Sequence, residues 1–292
     1  MIEETRERLG PVGVWLPSAP FAPPRETEVL ANQRIEELGY GSAWSGEGVG
    51  ERDLFEVDGT LLASTSRLMI GSGIANIWAR GAQETQTLAT ALARAHPGRF
   101  VLGVGIGHSF QAAATGSGYQ PLTQTRAYLS AMGPVPVPVV LAAVGPRMLE
   151  LAAELTDGAH PFAQPLEHTP YARKFLGPDK LLIPHQTVLL GTRDEARARL
   201  AQTVRQMTEH KVPHYMSGWK RLGYTDADIH DVSDRLVDGL YAWGDEEAVA
   251  RRVRLLLDSG ADHVLVSPAG DTLESIVDQL ARLAPALKEI TR

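Results

Sequence analysis

A helix that ends at a glycine and is followed closely by a short apolar strand recurs along this chain, and this pattern restricts the fold most strongly. Glycine is the usual residue just past a helix end, so each repeat predicts an αβ junction. The four junctions have their glycines at Gly39, Gly98, Gly158 and Gly260 and lead into strands at residues 42–45, 100–103, 159–162 and 263–266. Four further apolar strands, each before a helical stretch, are predicted at residues 12–16, 68–74, 137–141 and 181–190. The chain therefore contains eight predicted βα units.

The predicted strands lack clean alternation of polar and apolar residues, which indicates burial on both faces in a parallel sheet covered by helices. Eight such units within 292 residues match the size of a (β/α)8 barrel. We predict an α/β fold of the (β/α)8 TIM barrel type. A doubly wound open sheet is the alternative, because both fold classes share this local pattern.

The surplus residues lie between the seventh and eighth predicted strands. A capping box, Thr192-x-x-Glu195, predicts a helix to about His210, and a second helix is predicted from Gly244 to Leu257. Between them, residues 212–241 carry turn-forming and aromatic residues, which we interpret as a lid-like or interface insertion. We predict one domain over residues 1–292, with a helical insertion at about 192–244.

Composition excludes several classes of protein. The net charge of −7 and the lack of Lys/Arg runs argue against general nucleic-acid binding. The first residues are charged, and no apolar run approaches the roughly 20 residues that span a bilayer, so we expect a soluble, cytoplasmic protein without a membrane partner. The chain has no cysteine for a disulfide, a thiolate nucleophile or a cysteine-ligated zinc. His210 and His214 have helical spacing for a metal, but Pro213 would break that helix, so no metal site is predicted.

The segment 97–108 combines an apolar strand with alternating glycines and ends at His108. A dinucleotide fingerprint would need a third glycine where His108 stands and an acidic residue about 20 positions after the strand. Residues 123–127 contain no carboxylate. We therefore interpret the glycines as a close-packed strand whose end opens onto a ligand site.

Seven segments, spread in order over nearly the whole chain, together resemble the luciferase-like monooxygenase superfamily and most closely its coenzyme F420-dependent branch. They are residues 13–16, 39–47, 71–77, 97–108, 144–152, 157–161 and 260–264. The resemblance implies a (β/α)8 barrel, a homodimer and hydride transfer between the deazaflavin and a small organic substrate of unknown identity. An FMN-dependent monooxygenase and a non-catalytic relative are the alternatives.

The resemblance also implies cofactor contacts. Gly73 and Ile74 match the place where the family has a non-proline cis peptide behind the flavin ring, and Gln111 is a candidate amide contact. Val144, Gly145, Pro146 and Arg147 follow the fifth strand and open a helix, whose free N–H groups suit the cofactor phosphate.

Two residues are candidates for the chemistry. Sugar-phosphate dehydrogenases of the F420 branch have an Asp-His pair after the second strand and a glutamate after the fourth. The matching positions here are Glu47, Gly48 and His108, which argues against sugar-phosphate oxidation. His108 is the candidate proton carrier, because a histidine pKa of about 6.5 suits proton transfer near neutral pH, and Glu47 would polarise or orient nearby groups.

Large side chains at or just beyond the strand ends predict a substrate pocket at the same rim. The candidates are Trp15, Trp78, His160 and Phe162. Trp44 is interpreted as a core residue.

Overall fold

The computed structural model describes residues 1–17, 23–50, 52–210 and 212–290. Its strands are β1 (Val12–Leu16), β2 (Ser42–Ser45), β3 (Met69–Ser72), β4 (Ala75–Asn76), β5 (Phe100–Gly105), β6 (Val139–Leu141), β7 (Gly158–Ala159), β8 (Leu181–Leu182), β9 (His185–Leu190), β10 (Tyr241–Gly244) and β11 (Val264–Pro268). Its helices before β9 are α1 (Ile2–Leu9), α2 (Arg25–Glu37), α3 (Leu54–Ser64), α4 (Ala82–Ala95), α5 (Ser109–Ala114), α6 (Pro121–Met132), α7 (Pro146–Leu155) and α8 (His168–Leu176). After β9 come α9 (Arg193–Glu209), α10 (Pro213–Arg221), α11 (Asp226–His230), α12 (Asp234–Leu240), α13 (Glu246–Asp258) and α14 (Leu273–Lys288).

The strands form one parallel sheet that curls into a barrel. Its order is β10-β9-β11-β1-β2-β3-β5-β6-β7-β8, with β4 paired to β5. β8 and β9 are successive parts of one chain segment. This segment therefore connects the β7 end of the strand order to the strands beside β11. Gly158 and Ala159 pair with Leu181 and Leu182, whereas β9 pairs with β11. This arrangement confirms the predicted barrel rather than an open doubly wound sheet.

Several strand boundaries differ from those predicted. The seventh predicted strand, 181–190, is divided into β8 and β9, with Pro184 between them as a residue that cannot donate a backbone hydrogen bond. Gly158 is not the residue just past α7, which ends at Leu155 with Thr156 as its C-cap. It lies in β7, where an added Cβ would stand 2.1 Å from the Leu181 carbonyl oxygen. Close strand packing therefore explains this glycine, whereas Gly39 and Gly260 have the positive φ expected just past a helix.

The segment predicted as an insertion contains α9 to α12 and also β10, which extends the sheet beside β9. The helix predicted to end at about His210 ends at Glu209, and α10 begins at Pro213, as expected from the proline. None of the described helices is long and apolar enough to cross a membrane.

The barrel interior is filled by large side chains that glycines accommodate. Trp44 is 1% exposed, as predicted for a core residue, and a Cβ on Gly71 would lie 2.3 Å from its ring. A Cβ on Gly103 would lie 2.0 Å from the Ser72 carbonyl oxygen. The glycines of β5 thus allow close packing, which agrees with the interpretation of segment 97–108.

Candidate functional site

The backbone after β3 forms the base of the candidate site. The peptide bond between Gly73 and Ile74 is cis, as in the family that the sequence resembles. The Trp15 indole N–H donates to the Gly73 carbonyl oxygen at 3.1 Å. A Cβ on Gly73 would lie 2.9 Å from Trp15 Nε1 and 3.3 Å from His160 Nε2. Residues from β1, β3 and the segment after β7 therefore meet at one point of the carboxyl-terminal rim.

His160 presents an unpaired acceptor at this point. Its Nδ1 donates to the Ile183 carbonyl oxygen at 2.7 Å, which leaves Nε2 without a proton in the neutral ring. Nε2 is buried and has no hydrogen-bond partner among the described residues. Burial lowers the pKa of His160 to about 4, so the ring is neutral near pH 7.

A chain of rings, the aromatic belt, crosses the rim above this base. It consists of Trp15, Phe110, Phe162, Tyr215, His108, His185 and His214. Ring centroids are 4.0 Å apart for Phe162 and His185 and 5.2 Å apart for His108 and His214. Since His214 and Tyr215 lie on α10, the belt joins the insertion to the barrel.

His108 occupies the N-cap position of α5 within the belt. The Gln111 side chain folds back onto the backbone of this turn, where its Oε1 accepts a hydrogen bond from the His108 backbone N–H at 2.8 Å. Burial, with a smaller contribution from His210, lowers the pKa of His108. The predicted proton carrier is therefore in the neutral form, which can accept a proton, near pH 7.

The Glu47 carboxylate lies below the rim in a buried ion pair. Oε2 accepts from Arg80 Nη1 at 2.8 Å and from the Asn76 backbone N–H at 3.0 Å, and Arg80 Nη2 contacts Oε1. The Arg80 side chain is 6% exposed and the Glu47 side chain is 2% exposed. Through these contacts and one from the Leu54 backbone N–H at 3.5 Å, the carboxylate holds α3, β4 and the residues after β2 together.

Asp58 is buried next to this pair. Both of its carboxylate oxygens lack a hydrogen-bond partner among the described residues. Burial, and next the charge of Glu47, raises the pKa of Asp58 well above its ordinary value. The protonated carboxyl is therefore favoured there.

The first turn of α7 is open to a ligand. Gly145 is its N-cap and Pro146 its first residue, and a Cβ on Gly145 would meet no atom within 4 Å. The Val144 carbonyl oxygen accepts from His168 Nε2 at 2.9 Å, which fixes the loop before the helix. Arg147 is exposed and has no ion-pair partner within the described ranges. Pro146 has no N–H, and the Met148 and Leu149 N–H groups donate to the Gly145 carbonyl oxygen at 3.1 and 2.9 Å. The helix dipole and the Arg147 guanidinium are therefore the features that suit this turn to a phosphate.

A cavity of about 400 Å³ adjoins the belt beside the insertion. Two of the predicted pocket residues, Trp15 and Phe162, line it. His160 and Trp78 are not among the described lining residues, and the Trp78 indole N–H donates to the Ile106 carbonyl oxygen at 2.7 Å. The sequence analysis missed the other wall, which includes His185 and residues of α9. The capping box indicated that α9 exists but not which face it turns to the barrel.

No group of three or more His, Cys, Asp or Glu suited to a metal ion occurs in the part of the chain that the structure describes. His210 and His214, the pair rejected as metal ligands, lie on either side of the break between α9 and α10.

Comparisons with known proteins identify relatives. A 149-residue match is 28% identical to a 5,10-methylenetetrahydromethanopterin reductase of Methanolobus tindarius; it covers 42% of this chain and 46% of the relative, less than half the relative's length. The structure of a coenzyme F420-dependent tetrahydromethanopterin reductase from Methanopyrus kandleri is 17% identical, with TM-score 0.71, covering 96% of this chain and 99% of that one. The FMN complex of the oxygenating constituent of 3,6-diketocamphane monooxygenase from Pseudomonas putida is 13% identical, with TM-score 0.71, covering 97% and 98%.

Both solved structures share the barrel fold described above. At 17% and 13% identity they show the fold alone. The sequence model of the luciferase-like monooxygenase family matches residues 10–130 and 113–263. This match extends from β1 to the residue before β11 and includes every predicted site residue. The chain belongs to the luciferase-like monooxygenase family.

Proposed function

We propose that the protein is a deazaflavin-dependent oxidoreductase that binds coenzyme F420 across the carboxyl-terminal rim and transfers hydride between it and a small organic substrate. The observation that carries the choice of F420 is the sequence match to a methylenetetrahydromethanopterin reductase. A tetrahydromethanopterin reductase with the same fold is described as F420 dependent. Family membership supports an oxidoreductase more broadly.

The rim residues fit such a cofactor at two places. The N-terminus of α7 with Arg147 would hold a phosphate, since Gly145 leaves the space before the helix open. The Gly73–Ile74 backbone and the unpaired Nε2 of His160 would lie against the ring system. When bound, a deazaflavin supplies the carbon that accepts or donates hydride.

The protein's own residues would position the reactants and move a proton. His108 is neutral near pH 7 and would accept or return a proton through its imidazole nitrogens. The aromatic belt would exclude water from the rim. Glu47 would act indirectly, by holding the segments that precede and follow β3 through Arg80.

An FMN-dependent monooxygenase is the second candidate, favoured by the fold shared with the FMN-bound 3,6-diketocamphane monooxygenase constituent. The α7 phosphate site would serve both cofactors equally, because both carry a phosphate.

In either case we also propose a homodimer, which light scattering would test.

Titration of the protein with F420 and with reduced FMN, followed by absorbance and fluorescence, tests the proposal. We expect saturable F420 binding that Arg147→Glu weakens about tenfold or more, equivalent to about 1.4 kcal/mol. Arg205→Glu makes the same charge change at an exposed position on α9 and should leave binding unchanged. Tight FMN binding with oxygen consumption and no F420 binding would favour the monooxygenase, and binding of neither cofactor would overturn both candidates.

A further inference from the structure

The cavity beside the insertion has a single ionised side chain, Arg199, among its described lining residues, and the partner of that side chain lies outside the lining. Among its described lining residues, the side chains that carry or readily gain a positive charge are Arg199 and His185. Arg199 forms an ion pair with Asp271 at 3.3 Å. Burial, and next the proximity of His160, lowers the pKa of His185 to about 3, so this ring is neutral. An ionised ligand would therefore lose hydration without finding an unpaired opposite charge.

Aromatic rings form one side of the cavity and offer carbon surface rather than N–H donors. The Trp15 indole N–H is used by the Gly73 carbonyl oxygen at 3.1 Å. The Trp219 indole N–H is used by the Ala163 carbonyl oxygen at 2.9 Å. With Phe162 beside them, these side chains would pack against the face or edge of a ring.

The wall formed by α9 and β9 carries uncharged polar groups beside Arg199. Gln202 and Gln206 on α9 and Thr187 on β9 line the cavity. Their side chains form no hydrogen bond with any residue in the described ranges. Amides and hydroxyls both donate and accept, so they suit carbonyl, hydroxyl or amide groups of a neutral molecule.

The position of the cavity connects it to the proposed cofactor site. Trp15 lines the cavity and also contacts the Gly73 carbonyl oxygen. Much of the remaining wall comes from the insertion, through α9, Trp219 of α10 and Tyr241 of β10. A ligand in the cavity would thus have one end near the ring site and the other against the insertion.

We propose that this cavity, and mainly its α9 wall, selects an uncharged, ring-containing substrate with hydrogen-bonding oxygen or nitrogen atoms. The proposal rests on the proposed function for its assignment as the substrate site. The volume of about 400 Å³ is in the usual range of about 300–1,000 Å³ for sites of small organic molecules.

Calorimetric titration with two probes of matched shape tests the selection, on the protein with and without F420. The probes are 4-phenylcyclohexanone and 4-phenylcyclohexanecarboxylate. We expect the ketone to bind at least about tenfold more tightly than the carboxylate. Gln206→Lys should strengthen carboxylate binding about tenfold, whereas Thr208→Lys, which adds the same charge to α9 outside the lining, should change neither probe.

Equal or tighter carboxylate binding by the unmodified protein would overturn the inference, as would failure of the ketone to bind or identical effects of the two lysine variants. Preference for the ketone without any F420 binding would support the selection and contradict the proposed function alone. F420 binding without that preference would support the proposed function and contradict the inference alone.

Discussion

At the scale of single residues, Glu47 and Asp58 show how burial changes what a carboxyl group can do. Glu47 has a guanidinium and two backbone N–H groups around it, with Leu54 N at 3.5 Å and Asn76 N at 3.0 Å. Asp58 has no such partner among the described residues and is fully buried. The first group is held in a buried ion pair, whereas the second favours its neutral form.

Replacement of Glu47 by Gln should destabilise the protein by about 3 kcal/mol, because Arg80 would remain buried with only the half-exposed Asp53 carboxylate, 3.4 Å away, as a countercharge. Urea denaturation measures the free energy of unfolding. Arg25→Gln breaks an exposed pair with Glu56 and should change that free energy by less than about 1 kcal/mol. Equal effects of the two substitutions would contradict the importance of the buried pair.

Asp58→Asn should raise stability relative to the unmodified protein progressively as pH rises above about 4, the ordinary pKa of an aspartate. A folded-state pKa above the unfolded value gives stability that is present at low pH and lost as pH rises, at up to about 1.4 kcal/mol per pH unit. The asparagine does not titrate and avoids this loss. Denaturation at several pH values, with Asp258→Asn on the surface as control, checks the trend; a difference independent of pH would refute it.

At the scale of elements, α9 determines the shape of the cavity and the insertion's attachment. Its start was predicted because the capping box is local: Thr192 N–H donates to Glu195 Oε2 at 2.7 Å, and Glu195 N–H donates to Thr192 Oγ1 at 3.3 Å. Its polar cavity face was not predicted, since orientation depends on β9 and β10, which meet it only in the folded protein.

Thr192→Ala should lower the free energy of unfolding by about 1 kcal/mol, the usual effect of losing an N-cap hydroxyl. Thr208→Ala, on an exposed position of the same helix, provides the control and should cause no comparable loss, because alanine favours helix. Chemical denaturation of both variants measures the difference, and a Thr192→Ala effect no larger than the control would show that the cap contributes little.

At the scale of the whole molecule, several buried histidines make stability depend on pH. Burial lowers the pKa of His160, His168 and His214 to about 4 and that of His185 to about 3. Unfolding restores values of about 6.5. Below that pH the unfolded chain binds more protons, so the stability present above about pH 6.5 is lost as pH falls towards 4. Asp58 acts in the opposite direction, but as one group against four.

We therefore expect the free energy of unfolding to fall between pH 7.5 and pH 5. His214→Phe keeps a ring between His108 and Tyr215 but cannot gain a proton, so it should reduce the slope. His230→Phe alters an exposed residue and serves as the control. Urea denaturation at three pH values measures the slopes, and unchanged stability across this range would contradict the role of the buried imidazoles.

The sequence by itself determined the features that depend on nearby residues. Helices before Gly39 and Gly260, the cap of α9, the break at Pro213 and the run of apolar strands all follow from local backbone preference and hydrophobic pattern. Because eight such units fit few architectures, the barrel was predictable too.

Only the tertiary structure decided which side chains meet at the rim. Glu47 is paired with Arg80, His214 lies on His108, and the segment containing Pro184 is divided between two strand partners. Burial, charge pairing and strand pairing depend on distances between residues far apart in sequence, and periodicity carries no information about those distances. The residues of the candidate site could therefore be proposed from the sequence. Their protonation states and their contact partners are determined by the packing of the folded chain.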